Sequence, residues 1–206
     1  MFNIPLPVLF IIIIMVVLLC VYIASILSDR REVYSVMISD PRLVQIGGIQ
    51  DTGEAVQEGR YDFADPNINQ QKFPAPIGAP VRDVRFQIIR FSDPVSTRTV
   101  FRELRRNHLL RPTVEIATGV GKECYGMQIP HTLMFLHEPW RRKGHEQVVI
   151  AFDSTPGNRR MFLTPITPIR KRTWDITCGF VGICPEHTSD PAIVIMQEEI
   201  PPFVYA

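Results

Sequence analysis

The sequence predicts an α+β fold: a single N-terminal transmembrane helix, an extended irregular arm, then a small antiparallel sheet domain with one or two helices. Three observations predict it. Leu6 to Leu27 is an uncharged, apolar run; Asp40 to Pro80 shows neither a helical nor a strand period; and beyond Val81 alternating or apolar runs are separated by turn signals. The divisions are a membrane anchor over 1–28, a Pro/Gly-rich arm over 29–80 and a compact domain with an acidic tail over 81–206.

The anchor comes first. No Asp, Glu, Lys, Arg or His precedes Asp29. As a helix, the 22 residues from Leu6 to Leu27 rise about 33 Å, enough to cross a hydrocarbon core of about 30 Å once. Sixteen are Leu, Ile, Val or Phe, which at about −0.4 kcal/mol each gives an insertion term of about −6 kcal/mol. Leu6, Phe10, Ile14, Leu18, Tyr22 and Leu27 mark its length, and Pro5 and Pro7 sit where first-turn N–H groups lack intrahelical partners anyway. A cleavable signal peptide would need a basic leader, a shorter core and a small-x-small site; Ala24-Ser25 followed by Ile26-Leu27 is a poor one. Arg30, Arg31 and Arg42 follow the run, so the expected orientation is N-terminus out, with the C-terminal domain on the cytosolic side.

The arm contains Gly47-Gly48, Asp65-Pro66-Asn67 and Pro74-Ala75-Pro76-Ile77-Gly78-Ala79-Pro80. It is long for a loop within a domain, where connections run about 4–6 residues. Scattered apolar residues (Val44, Ile46, Ile49, Tyr61, Phe63, Phe73, Ile77) favour an extended segment wrapped on a partner or on its own domain over a disordered linker.

In the domain, Val84, Phe86 and Ile88 alternate with Arg85 and Gln87 as a half-buried strand does. Ser92-Asp93-Pro94 supplies a helix start, and a helix is expected from about Val95 to His108, with Val100, Phe101, Leu104 and His108 on one face. Arg98, Arg102, Arg105 and Arg106 share the opposite face within an arc of about 100°. A second short helix is expected after Pro112-Thr113, ending near Gly119 and Gly121. Strands follow at His131 to His137, Gln147 to Phe152, Met161 to Ile166 and Ala192 to Met196, with Ser154-Thr155-Pro156-Gly157-Asn158 as the turn of a hairpin.

The net charge of +1 conceals segregation: −2 over Asp29–Pro94, +8 over Val95–Arg172 and −5 over Thr173–Ala206. A basic middle of this kind meets an anionic surface or the acidic tail of its own chain. Of the four cysteines, Cys20 lies in the apolar run, leaving an odd number outside it, and no Asn-x-Ser/Thr sequon occurs. Both fit a reducing, cytosolic side.

Thr118-Gly119-Val120-Gly121-Lys122 resembles a phosphate loop only in part, since Ile116 and Glu123 stand where a Walker A loop needs Gly and Ser/Thr; a helix end and turn is the expectation. Cys178, Cys184 and His187, with Cys124, are the candidate zinc ligands, weighed against a Cys178–Cys184 disulfide and against inert core thiols, which the sequence favours. His137-Glu138 and His145-Glu146 lack the second His of a metalloprotease helix, and no nucleophile elbow is present. No catalytic residue and no cofactor is assigned, and the chain is not expected to be an enzyme.

The basic clusters remain: the arginine stripe, Trp140-Arg141-Arg142-Lys143, Arg159-Arg160 and Arg170-Lys171-Arg172-Thr173-Trp174. Trp beside Lys/Arg suits a lipid headgroup boundary, and the same composition suits an acidic protein or nucleic acid; weighed against a merely solvated charged surface, the partners rank as protein first, lipid second and nucleic acid third. The sequence therefore points to a single-pass membrane-anchored structural or accessory subunit that tethers a protein assembly to a bilayer, such as a membrane-bound complex or a virion shell over an internal membrane. The alternatives are a tethered module whose basic surface binds anionic lipid or nucleic acid, and a tethered enzyme.

Overall fold

The computed structural model describes residues 14–22, 34–48, 51–123, 129–142, 146–155, 157–166 and 173–185. Two units separate, Met1–Tyr34 and Ser35–Ala206. In the first, residues 14–22 form helix α1, with Ile14, Met15, Leu18 and Tyr22 all exposed. Among the described residues no helix is long and apolar enough to cross a membrane. Leu6, Phe10 and Leu27 of the apolar run lie outside the described residues.

The second unit is a mixed α+β fold. Its strands are β1 (Val36–Ile38), β2 (Arg42–Ile46), β3 (Phe63–Ala64), β4 (Arg82–Phe91), β5 (Val95–Ser96), β6 (Ile129–Met134), β7 (Trp140–Arg141), β8 (Gln147–Thr155), β9 (Asn158–Ile166), β10 (Thr173–Trp174) and β11 (Cys178–Ile183). Its helices are α2 (Thr52–Glu58), α3 (Thr97–Arg106) and α4 (Val114–Glu123). Nine strands form one sheet in the order β1-β4-β11-β6-β8-β9-β3, with β2 also on β4 and β7 on β8; β10 pairs with β5 separately. The expected sheet was antiparallel, but β11 runs parallel to β6 and β3 parallel to β9, so the sheet is mixed.

Helices cover both faces. On one, Ile116, Ala117 and Val120 of α4 pack on Phe86, Ile88, Leu133, Phe152 and Val181. On the other, Val100 and Leu104 of α3 are buried, and Trp174 and Phe91 each meet Phe180 edge-to-face at 5.8 Å. Each buried Phe contributes roughly 1.5–3 kcal/mol through burial.

The segment 40–80 is not a separate arm: the compact unit begins at Ser35 rather than Val81. Val44, Ile46, Ile68 and Phe73 belong to the same core as the sheet, whereas Phe63 and Ile77 are exposed and Ile49 lies outside the described residues. Its elements are too short to show a period. β2 has five residues, and α2 has seven, opened by Asp51 accepting from the Glu54 N–H at 2.8 Å. Between them the chain turns through Gly47 and Gly48, both at positive φ.

The expected helix from Val95 to His108 is shorter at both ends. Ser96, not the Ser92-Asp93-Pro94 turn, caps α3 by accepting from the Thr99 N–H. Beyond it, His108 adopts φ 55°, donating to Arg105 O at 3.0 Å, while Leu109 donates to Leu104 O at 2.8 Å. This is a Schellman closure with His at the glycine position. The second helix does not stop at its glycines: α4 runs through both to Glu123, because they are packing positions. A Cβ on Gly121 would lie 1.8 Å from Tyr61 Oη, and one on Gly119 would lie 2.8 Å from Ile46 Cγ2.

The strand at Gln147 extends to Thr155, and with β9 it forms a hairpin from Gln147↔Ile166 to Thr155↔Asn158. The strand expected to start at His131 begins two residues earlier, at Ile129, and ends at Met134. β1, β2 and β11 were not expected, and Ala192 to Met196 lies outside the described residues.

Candidate functional site

The four arginines of the stripe do share a surface. Burial of Val100, Leu104 and the Thr97 and Thr99 side chains fixes the rotation of α3, which leaves Arg98, Arg102, Arg105 and Arg106 exposed. The helix carries one carboxylate, Glu103, and it is buried beneath the stripe, with Arg102 Nε at 3.7 Å and Arg106 Nη1 at 4.0 Å from Oε1. The surface is therefore cationic while the charge below it is compensated.

Arg111 continues this region in a different role. Its Nε donates to Leu136 O and its Nη2 to His137 O, each at 2.8 Å, and its guanidinium lies 4.7 Å from the Phe101 ring centroid. Burial lowers its pKa; the Glu138 carboxylate opposes that and Arg105 adds to it. Arg111 thus clamps the chain after β6 and is not available to a partner.

Trp174 is a core residue, and Trp140 is half-buried against the core. Trp140 stacks edge-to-face on Phe73 at 5.8 Å with Lys72 Nζ 5.0 Å from its ring, and it packs against the main core. Trp174 is buried and donates its indole N–H to Thr97 Oγ1 at 2.9 Å, locking β10 to the start of α3. Arg141 and Arg142 are exposed at β7, a separate element from α3. Lys143, Arg170, Lys171 and Arg172 lie outside the described residues; the described chain resumes at Thr173, which pairs with Ser96 at the cap of α3. Arg159 is buried, its guanidinium donating to Gly59 O at 2.7 Å, Arg60 O at 3.1 Å and Gly121 O at 2.6 Å.

The metal reading is corrected by strand geometry. Cys178 opens β11, and Cys184 follows its end with its N–H donating to Arg85 O, so six extended residues hold them roughly 20 Å apart. That spacing excludes both a mutual disulfide and ligation of one ion. Cys124 and His187 lie outside the described residues, and among the described residues no group of three His, Cys, Asp or Glu gathers to hold a metal.

His137 is 1% exposed, and burial lowers its pKa to about 4. Its Nε2 accepts from the Ile150 N–H at 3.1 Å, so Nδ1 carries the proton and donates to Glu138 O at 2.6 Å. It is a neutral core histidine bridging β8 and the chain after β6. A shallow recess between α2, α4 and β2 is bordered by Lys122 and Glu58, paired at 2.6 Å, and by Glu115, paired with Arg82 at 2.9 Å. Among the described residues lining the recess, the cation, Lys122, is held by Glu58.

One feature of the surface had no signal in the sequence. Ser35 donates to Ser92 Oγ at 2.9 Å and accepts from the Ser92 N–H at 3.1 Å, so the chain enters the domain five residues ahead of α3. These serines are 57 residues apart, beyond any local pattern. No protein family, curated protein or solved structure matches the chain.

Proposed function

We propose that this chain is a single-pass membrane-anchored structural or accessory subunit, its domain fixed to a bilayer by Leu6–Leu27 and contributing surface, not chemistry, to a larger assembly. The observation that carries the reading is the uncharged run itself. Its described turns, α1, present apolar side chains around the whole helix, and a helix apolar all round must be covered by protein or by lipid. The arginines after the run favour the domain on the cytosolic side.

The domain supports an interaction role through what its polar groups do. His137, Arg111 and Arg159 are each committed to backbone partners in the interior, and the recess between α2 and α4 is edged by closed ion pairs. The exposed arginine face of α3 favours a second reading, a tethered module that binds an anionic surface. Light scattering of the full chain purified in mild detergent, with mass spectrometry of whatever elutes with it, tests the first reading. A stoichiometric partner is expected; a monodisperse monomer with no partner contradicts it.

A further inference from the structure

We propose that the outer face of α3 docks on the anionic phospholipid headgroups of the same membrane that holds the Leu6–Leu27 run. This rests on the membrane-anchor reading and adds to it a lipid-binding face on the domain.

Position, charge and chemistry each support it. Ser35, the first residue of the domain unit, is held to Ser92, and Ser92 precedes Thr97, the first residue of α3, by five positions. Eight chain steps separate Leu27 from Ser35, which fully extended span at most about 28 Å. A tether of that length keeps the whole domain, α3 included, within reach of lipid headgroups. A tethered surface meets its lipid partner at high effective concentration.

The face has the right charge. Arg98, Arg102, Arg105 and Arg106 are exposed along it, and Glu103 is buried under it. Among the described residues, the exposed carboxylates Asp93, Asp175 and Glu138 lie on segments outside α3. All four cations are arginines, whose planar fork takes a phosphate bidentately where lysine offers a point charge. An apolar residue stands at the same end. Ile176 is 50% exposed, on a turn fixed by Asp175 Oδ1 accepting from the Thr177 N–H and hydroxyl at 2.9 Å each. The preceding Trp174 pairs with Val95 and bonds to Thr97, which keeps this turn beside the start of α3.

The full chain reconstituted into vesicles of phosphatidylcholine, with or without about 30 mol % phosphatidylglycerol, tests this through arginine modification by phenylglyoxal read out by mass spectrometry. The expected result is modification of Arg98, Arg102, Arg105 and Arg106 slowed about fivefold or more on the anionic vesicles only, and relieved at about 0.5 M salt. Exposed Arg60 and Arg141, on other elements, should react equally on both. Equal rates for the α3 arginines on both vesicles, with the protein floating with each, overturn the docking and leave the anchor standing. Failure to float with either vesicle overturns the anchor and the docking with it. Protection by a short RNA but not by anionic vesicles overturns the lipid assignment and gives the face to nucleic acid.

Discussion

At the scale of single residues, polar groups that look available in the sequence are spent on closing the fold. His137 stays neutral inside the domain because its ring both donates and accepts, and because burial disfavours the imidazolium. Its folded pKa of about 4 lies below the ordinary value of 6.5, so between those values the unfolded chain binds the extra proton. Stability should fall as pH drops from about 6.5 to about 4, by on the order of 3 kcal/mol in total, and be insensitive to this group above pH 6.5. Denaturant titrations across that range check the slope, and His137→Gln, which keeps an acceptor for Ile150, should flatten it. His108 gives a prediction of opposite sign. It holds a left-handed conformation that glycine adopts without strain, and its side chain is exposed, so His108→Gly should raise stability by about 1 kcal/mol. Arg159→Met should lower it by about 3–5 kcal/mol, since three carbonyls lose a charged donor in the interior; equilibrium unfolding measures both.

Among the elements, α4 shows how packing overrides local preference. Gly→Ala inside a helix ordinarily stabilises by about 1 kcal/mol. At Gly121 the added carbon would collide with Tyr61 Oη, so Gly121→Ala is expected to destabilise by about 1–3 kcal/mol, with Tyr61→Leu in the same chain relieving part of the loss. A thermal melt in which Gly121→Ala is as stable as the parent contradicts this packing. The same elements show what a sequence pattern can carry. The alternation of Val84, Phe86 and Ile88 and the hairpin signal at Ser154 to Asn158 sit in regular ladders, and both were legible. The glycines of α4 were not, because a close approach by Tyr61, some 60 residues earlier, looks locally like a helix stop. Nor was β2, a five-residue strand that pairs with β4, some 40 residues later. β11 carries no strand pattern because Gly179 and Gly182 stand among its apolar residues; each faces a crowded neighbour, Ile88 in one case and Leu104 in the other.

For the whole molecule, an apolar N-terminal run and a packed α+β domain were both legible, while the sheet's mixed topology and the placement of segment 40–80 depended on distant pairings. The candidate surface was legible where it lies on one helix: four arginines at helical spacing remained together on α3. It was not legible where tryptophan entered, since Trp140 and Trp174 find Phe73 and Thr97 by tertiary contact. The proposed role depends on Leu6–Leu27 anchoring this domain in a bilayer. Alkaline carbonate extraction of membranes from cells expressing the full chain tests that anchoring. The protein is expected to stay with the membrane pellet, and a chain lacking residues 1–28 is not. Release of the full chain into the carbonate supernatant would contradict it.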